Sequence, residues 1–529
     1  MKRIIQLLLV LLPIGALAQS NSSWDVECGD ESIYVLTATP EDGFHFVKWA
    51  DDATAPNPRE VQVLDNITYT AVFAENDAPV VIENGQKKNL SELDYSGSGS
   101  IYEITIEPGG ELTIDDPSKT ITKLFIETTG TQSGQVHGIS TIAAAATANM
   151  EVYLDYRLNP TGDAANDQQW YGFAVPFTVS IQNGIFHKGN TTPLVSGVNF
   201  LIYAYDSNKR AQTGNGWVPL ASTDHLNPGQ FYLMTIDGTE NHWLFKKEAG
   251  TTIPTENTVG LVYCGNGDSN SGINGIANPT LEYTPASLNE NVYVCFFNNE
   301  DGAFEDPVLL SDASFVVGKP FLIQILPTTD LSIGFPSYTP SSGAPRRASM
   351  DKDPLMRMTL TNTQNAAAGH MYLSMHADGQ SNHYVIGRDF ARMDNKNTRP
   401  HVWCEAYGLQ LAAHGVQTPN TTTEMPFVLS TPVAGTFRLD MNAKAMDEYM
   451  VELLYNGEYI ANLSDEEPYS LELKKGTTYG YSLRLRAMMP TDIKAVQGEE
   501  ETSAKILLNH QLYIRHGEHV YDAQGRKIK

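Results

Sequence analysis

The chain has 529 residues, of which 41% are hydrophobic, and 35 basic side chains face 62 acidic ones for a net charge of −27. The hydrophobic share supports packed cores and excludes wholesale disorder. The acidic excess excludes a nucleic-acid surface, which needs clustered Lys and Arg, and it disfavours an anionic membrane surface; the length calls for about three or four domains.

The amino terminus reads as an export signal over residues 1–18. Lys2 and Arg3 precede the apolar run Ile4 to Leu12, Pro13 and Gly15 break it, and Ala16-Leu17-Ala18 supplies small residues before a cleavage at Gln19. The run is shorter than the roughly 20 residues needed to span a bilayer, although an uncleaved anchor helix is the alternative. No Cys follows the cleavage point, so lipid attachment there is not expected, and no later segment approaches a membrane span.

Residues 26–75 alternate with period two, as half-buried strands do. Glu41-Asp42-Gly43 marks a turn, Phe44, Phe46 and Lys48 share one face, and Val47 and Trp49 share the other. A loop with Pro56 and Pro58 follows, then Val61 and Val63, a turn at Asp65-Asn66, and the strand of Ile67, Tyr69, Ala71 and Phe73. The stretch "ATPEDGFHFVKWADDATAPNPREVQVLDNITYTAVFAE" closely resembles one copy of the Listeria–Bacteroides, or internalin-B-type, repeat. Its hallmark is Gly-aromatic-x-Phe-x-x-Trp followed by an aromatic strand ending in Ala-x-Phe. The resemblance implies a small β-grasp-like extracellular spacer or adhesive module, and it implies no chemistry.

Residues 76–150 predict short strands punctuated by Pro108-Gly109-Gly110 and Asp115-Asp116-Pro117. Residues 151–335 continue with "EVYLDYRL", "WYGFAVPFTVSI", "NFLIYAYD", "GQFYLMTI" and "VYVCFF", separated by Gly/Asn/Asp loops and without a helical-period segment. That pattern predicts one or two β-sandwich or jelly-roll-like domains. "WYGFAVPFTV" and "GINGIANPTL" resemble segments of large surface proteins of Bacteroidetes. Residues 336–354, rich in Pro, Ser and Ala, read as a linker with a basic pair at Arg346-Arg347.

Residues 355–488 predict a carboxy-terminal β-sandwich. Gly435 to Leu439, Tyr455-Asn456-Gly457, Tyr469-Ser470-Leu471 and Gly476 to Leu485 resemble the sandwich that precedes the sorting tail of type IX secretion cargo. The last segment, 496–529, resembles such a tail in its order of Leu512-Tyr513-Ile514, His516-Gly517, Val520-Tyr521-Asp522 and Gly525-Arg526-Lys527. It is shorter than a full sorting domain, and an ordinary hairpin closing the last sandwich is the alternative. The fold class expected for the whole chain is all-β and multi-domain.

Candidate chemistry is sparse. The four cysteines, Cys28, Cys264, Cys295 and Cys404, are too few for a disulfide scaffold. Cys264 and Cys295 end apolar runs and could pair, with buried thiols as the alternative; no CxxC supports zinc. Among thirteen histidines, His516-Gly517-Glu518-His519 lacks the helical spacing of HExxH, and "HMYLSMHADGQSNH" (370–383) offers a hairpin metal site against ordinary turn residues. Asp268, Asn270 and Gly272 faintly suggest a calcium loop, but with Asp268 counted as the first position the twelfth is Pro279 and not Glu.

No Ser stands in a G-x-S-x-G elbow. Paired carboxylates for sugar hydrolysis leave no local motif. Trp24, Trp170, Trp217, Trp243 and Trp403 lie beside Gly, Asn and Asp. Trp170, Tyr171 and Trp217 are the residues offered as ligand contacts, against the alternative that they cap a core. No catalytic, cofactor or metal residue is singled out, and no cofactor is expected. The expectation is a secreted or outer-surface protein without catalysis that binds an extracellular glycan or protein and engages secretion machinery through its tail. An extracellular hydrolase and a structural surface-layer subunit are the alternatives.

Overall fold

The computed structural model describes residues 24–28, 33–38, 44–52, 55, 58–62, 69–75, 79–93, 100–158, 169–255, 257–282, 292–300, 302–327, 331–335, 355–376, 383–393, 398–418, 422–444, 449–463, 468–487, 503–508, 511–516, 519–522 and 526–528. The proposed signal peptide and the linker at 336–354 lie outside them. The fold is all-β and multi-domain, built almost wholly from sheets.

At the amino end, Trp24–Cys28 pairs antiparallel with Ile33–Ala38, which pairs with Arg59–Gln62, while Phe44–Trp49 pairs with Ala71–Glu75. The small core is Leu36, Ala38, Trp49, Val61, Tyr69 and Ala71. Arg59 is buried with it. Its guanidinium lies 4.5 Å from the Trp49 ring centre and 4.6 Å from that of Tyr69, and it bonds Asp51 at 2.5 Å. A unit this small gains from such ring contacts because its aliphatic core is thin.

Residues 80–157 form a parallel stack. Val80–Ile82, Ser100–Ile106, Thr120–Thr128 and Glu151–Arg157 lie side by side in one sheet. Lys87–Asn89, Glu111–Thr113 and Gln135–His137 lie side by side in a second. The chain therefore coils, and Ile82, Ile106, Ile126 and Leu154 stack rung on rung, all buried. The sequence shows the coil as "VVIENG", "ITIEPGG" and "LFIETTG", an apolar strand ending Ile-Glu before a Gly turn. The glycines are steric: a Cβ on Gly110 would lie 2.5 Å from the Ile82 carbonyl oxygen, and one on Gly134 2.5 Å from that of Ile106. Only bare backbone lets the turns stack so closely.

The first sheet does not stop at residue 150. It continues antiparallel through His242–Lys246 and Ile185–His187, and one core runs from Ile82 to Val317. In "WYGFAVPFTV", Tyr171, Phe173, Val175, Phe177 and Val179 are all buried. In "GINGIANPTL" Asn274 and Asn278 bond neighbouring backbone, and Leu281 enters the stacked core, its carbonyl accepting from Val136 N at 2.9 Å. These segments are packing elements. Two short helices, Ala144–Asn149 and Ser207–Thr213, interrupt the strands. The second is capped by Asp206, whose carboxylate accepts from Lys209 N at 2.8 Å, and ended by Gly214 with φ of 73°. Neither is long enough to show a period of 3.6, so the sequence reads as strand and loop throughout.

The carboxy-terminal sandwich spans Leu355–Asn362 to Gly476–Ala487 around a Met-, Leu- and Phe-lined core. It packs on the central body through a shared cluster that includes Tyr205, Phe231, Tyr293, Tyr372 and Phe390. Asp306 joins the two polar edges: it accepts from His370 N at 3.0 Å and faces His401 Nδ1 at 3.6 Å. Burial alone would raise the Asp306 pKa, but the neighbouring His401 imidazole and the nearby His370 and Arg399 side chains outweigh it and hold the carboxyl low. The tail strands Ser503–Leu508, Gln511–His516 and His519–Asp522 form an antiparallel meander. Among the described residues no helix is long and apolar enough to cross a membrane.

Candidate functional site

The expected ligand contacts end up mostly inside. Tyr171 is 2% exposed and belongs to the central core, so its ring is not available to a ligand. Trp170 and Trp217 are half-buried against the shared cluster. Trp170 meets Tyr203 edge-on at 5.3 Å, and Trp217 meets Tyr205 and Phe231 edge-on at 5.1 and 5.0 Å. Trp243 and Trp403 sit within strands His242–Lys246 and His401–Ala406 and are buried, which corrects the expectation that they flank loops. The side chain of Trp24 lies outside the described residues.

The other sequence candidates resolve into structural roles. Cys264 and Cys295 form no disulfide, and the Cys295 thiol donates to the Glu305 carbonyl at 2.9 Å. Asp268 accepts from Asn270 N and Ser271 Oγ, closing its own turn. His370 Nε2 donates to the Pro307 carbonyl, and His376 Nε2 meets Ser374 Oγ. Among the described residues no group of three or more His, Cys, Asp or Glu is arranged to hold a metal. Asp378, Gly517 and Glu518 lie outside those residues.

Two acidic arrangements that sequence reading missed remain. The first is on the outer face of the long sheet. Glu127 and Asp155 are register partners on adjacent parallel strands, both buried. Lys188 Nζ donates to Glu127 at 2.7 Å and to Asp155 at 2.8 Å; His242 Nδ1 meets Asp155 at 2.9 Å, and Arg157 bonds Glu127. Beside them Phe125 stacks on Tyr153 with ring centres 4.6 Å apart, and Lys246 bonds Glu151 at 2.7 Å. Burial pushes Glu151 up, but Lys246 outweighs it and keeps the carboxyl low. The recurring Ile-Glu before each Gly turn was the available signal for this column.

The second arrangement is a cleft of about 630 Å³ in the central body, within the ~300–1,000 Å³ of small-ligand sites. Ala204, Leu220 and Tyr232 give it an apolar floor. Its rim is polar. The Tyr232 hydroxyl accepts from Asn227 N at 2.7 Å and donates to Gln230 Oε1 at 2.9 Å. Asp224 Oδ2 accepts from Ala221 N at 2.7 Å, and His225 Nε2 faces Glu248 Oε1 at 3.1 Å. These residues come from 178 to 248 in the chain, and no local motif announces them.

Residues 18–77 match the family model of the divergent InlB B-repeat domain. The match spans the repeat read at 26–75 and points to a bacterial surface protein of adhesion type. No curated protein and no solved structure matches the chain.

Proposed function

We propose that the protein is a secreted or cell-surface binding protein, adhesive in function and without catalytic chemistry. The observation that carries this reading is the InlB-type repeat at 18–77, a module of extracellular spacers and adhesins. The export pattern of residues 1–18 and the tail's resemblance to type IX cargo support delivery outward. The described residues of 80–487 form a packed scaffold, in which one core joins the stacked coils to the central body and a second cluster joins that body to the sandwich. Such a frame holds a ligand face still, which lowers the ordering cost of binding.

The test locates the protein in its own bacterium, full-length against a chain truncated before Ser503, and measures adhesion of each strain to immobilised glycans and matrix proteins. Surface exposure of the full chain, periplasmic retention of the truncated one and adhesion only by the first are the expected outcomes. Periplasmic retention of both overturns the reading. A hydrolase is favoured by one observation, the presence of Asp224 and Glu248 in a single cleft. Release of reducing sugar or peptide by the purified chain, abolished in Glu248→Gln, would establish it instead.

A further inference from the structure

Several polar side chains on the rim of the central-body cleft have hydrogen-bonding capacity that no described residue uses. Among the described residues the side-chain amide of Asn227 bonds no other protein group, and Gln230 uses its carbonyl oxygen on Tyr232 while its Nε2 stays unused. Asp224 fixes one oxygen on Ala221 N and Glu248 one on His225, leaving the second oxygen of each unspent. Tyr232 is fully buried, and its hydroxyl bonds the Asn227 backbone N and carbonyl and Gln230 Oε1, which holds the 227–232 backbone and the Gln230 amide in one arrangement. His225 and Leu226 are held by pairing with Ser180 and Val179. The rim is therefore polar, its Gln230, Asp224 and Glu248 side chains are each fixed by one bond, and it mixes N–H donors with acceptor-only carboxylates.

We infer that this cleft binds an uncharged pyranose at the end of an extracellular glycan. Vicinal hydroxyls each donate and accept, so one can give its hydrogen to a carboxylate while its neighbour takes one from an amide. The C–H face of the ring would rest on Leu220. Among the described residues no Lys or Arg lines the cleft while Asp224 and Glu248 do, which selects against sialate, uronate, sulfate and phosphate groups, as does the net charge of −27. A lysine side chain of a protein ligand would satisfy the carboxylates but leave both amide donors idle, so the sugar fits better.

This inference rests on the adhesion reading and adds the ligand class to it. The test is isothermal titration of the full chain with methyl β-D-galactopyranoside, methyl β-D-glucopyranoside and N-acetylglucosamine, with N-acetylneuraminic acid as the anionic control. Glu248→Gln and Asn227→Ala are compared with the parent, and thermal midpoints confirm that each variant folds. At least one neutral sugar binds, the anionic sugar does not, and each substitution weakens binding about tenfold, as loss of a hydrogen bond to a charged or desolvated group does. Binding of no neutral sugar, equal binding of the anionic one, or unchanged affinity in both variants overturns the inference. Adhesion of the surface-displayed chain to a protein, with no sugar bound, overturns it and leaves the adhesion reading standing. A chain that neither reaches the surface nor adheres overturns both.

Discussion

The sheet face and the cleft each hold two carboxylates, yet they are opposite kinds of place. Glu127 and Asp155 are buried, and Lys188, Arg157 and His242 close over them. Every strong interaction available to that pair is made within the protein. Asp224 and Glu248 sit on an open rim, each tied by one oxygen only. The contrast teaches that a pair of acids marks a site only by what it leaves unsatisfied. A buried acid pair whose hydrogen-bond partners all come from the protein is scaffold, and removing one partner exposes the cost of burying the rest.

Four outcomes would break or sharpen that contrast. The largest effect is expected from Trp243→Ala, which empties the core directly behind the charged face. Trp243 is 1% exposed, and the loss should be about 4 kcal/mol in denaturant unfolding. Next comes Asp155→Ala, which strands Lys188 and His242 against Glu127. Because Lys188 is partly solvated and keeps its bond to Glu127, the expected loss is about 3 kcal/mol. A loss below about 1 kcal/mol, the range of surface ion pairs, would show that the cluster is not structural.

A smaller effect is expected from acid. Burial lowers the pKa of His370 and of His137, overcoming the pull of Asp306 on the first and of Glu282 on the second. Both are therefore neutral in the folded state more readily than in the unfolded chain. Their contribution is complete above the ordinary histidine pKa of about 6.5 and is lost as pH falls below it. Stability measured by denaturant at pH 7.5, 6.5 and 5.5 should fall over the lower interval, and His370→Gln should flatten part of that fall. Smallest of all is Glu248→Gln, where the histidine partner is about as solvated as the acid. Its stability change should stay within about 0.5 kcal/mol, so any loss of ligand binding there reports on the site and not on the fold.

Much of the fold was legible. Alternation in residues 26–75 gave the strands that pack Trp49 under Tyr69, and the Gly-punctuated runs after residue 150 gave an all-β body. The candidate site was not legible. Tyr171 was offered as a contact because it follows Trp170 near a loop, but that reading could not see strand Tyr232–Ile236 laid beside it. The rim of the cleft escaped because Asn227, Gln230 and Glu248 are ordinary polar residues outside the regular strands.

The sequence by itself determined which faces are apolar, where the chain turns and what charge the surface carries, since these follow from side-chain type, local backbone freedom and period. It also carried the repeat in its aromatic spacing. Only the tertiary structure decided that strands from residue 80 to residue 157 stack parallel and in register, and that Thr178 and Glu248 border one cleft. A strand's period states which face seeks a partner but does not name the partner. Pairing across tens of residues is chosen by the packing of the whole core.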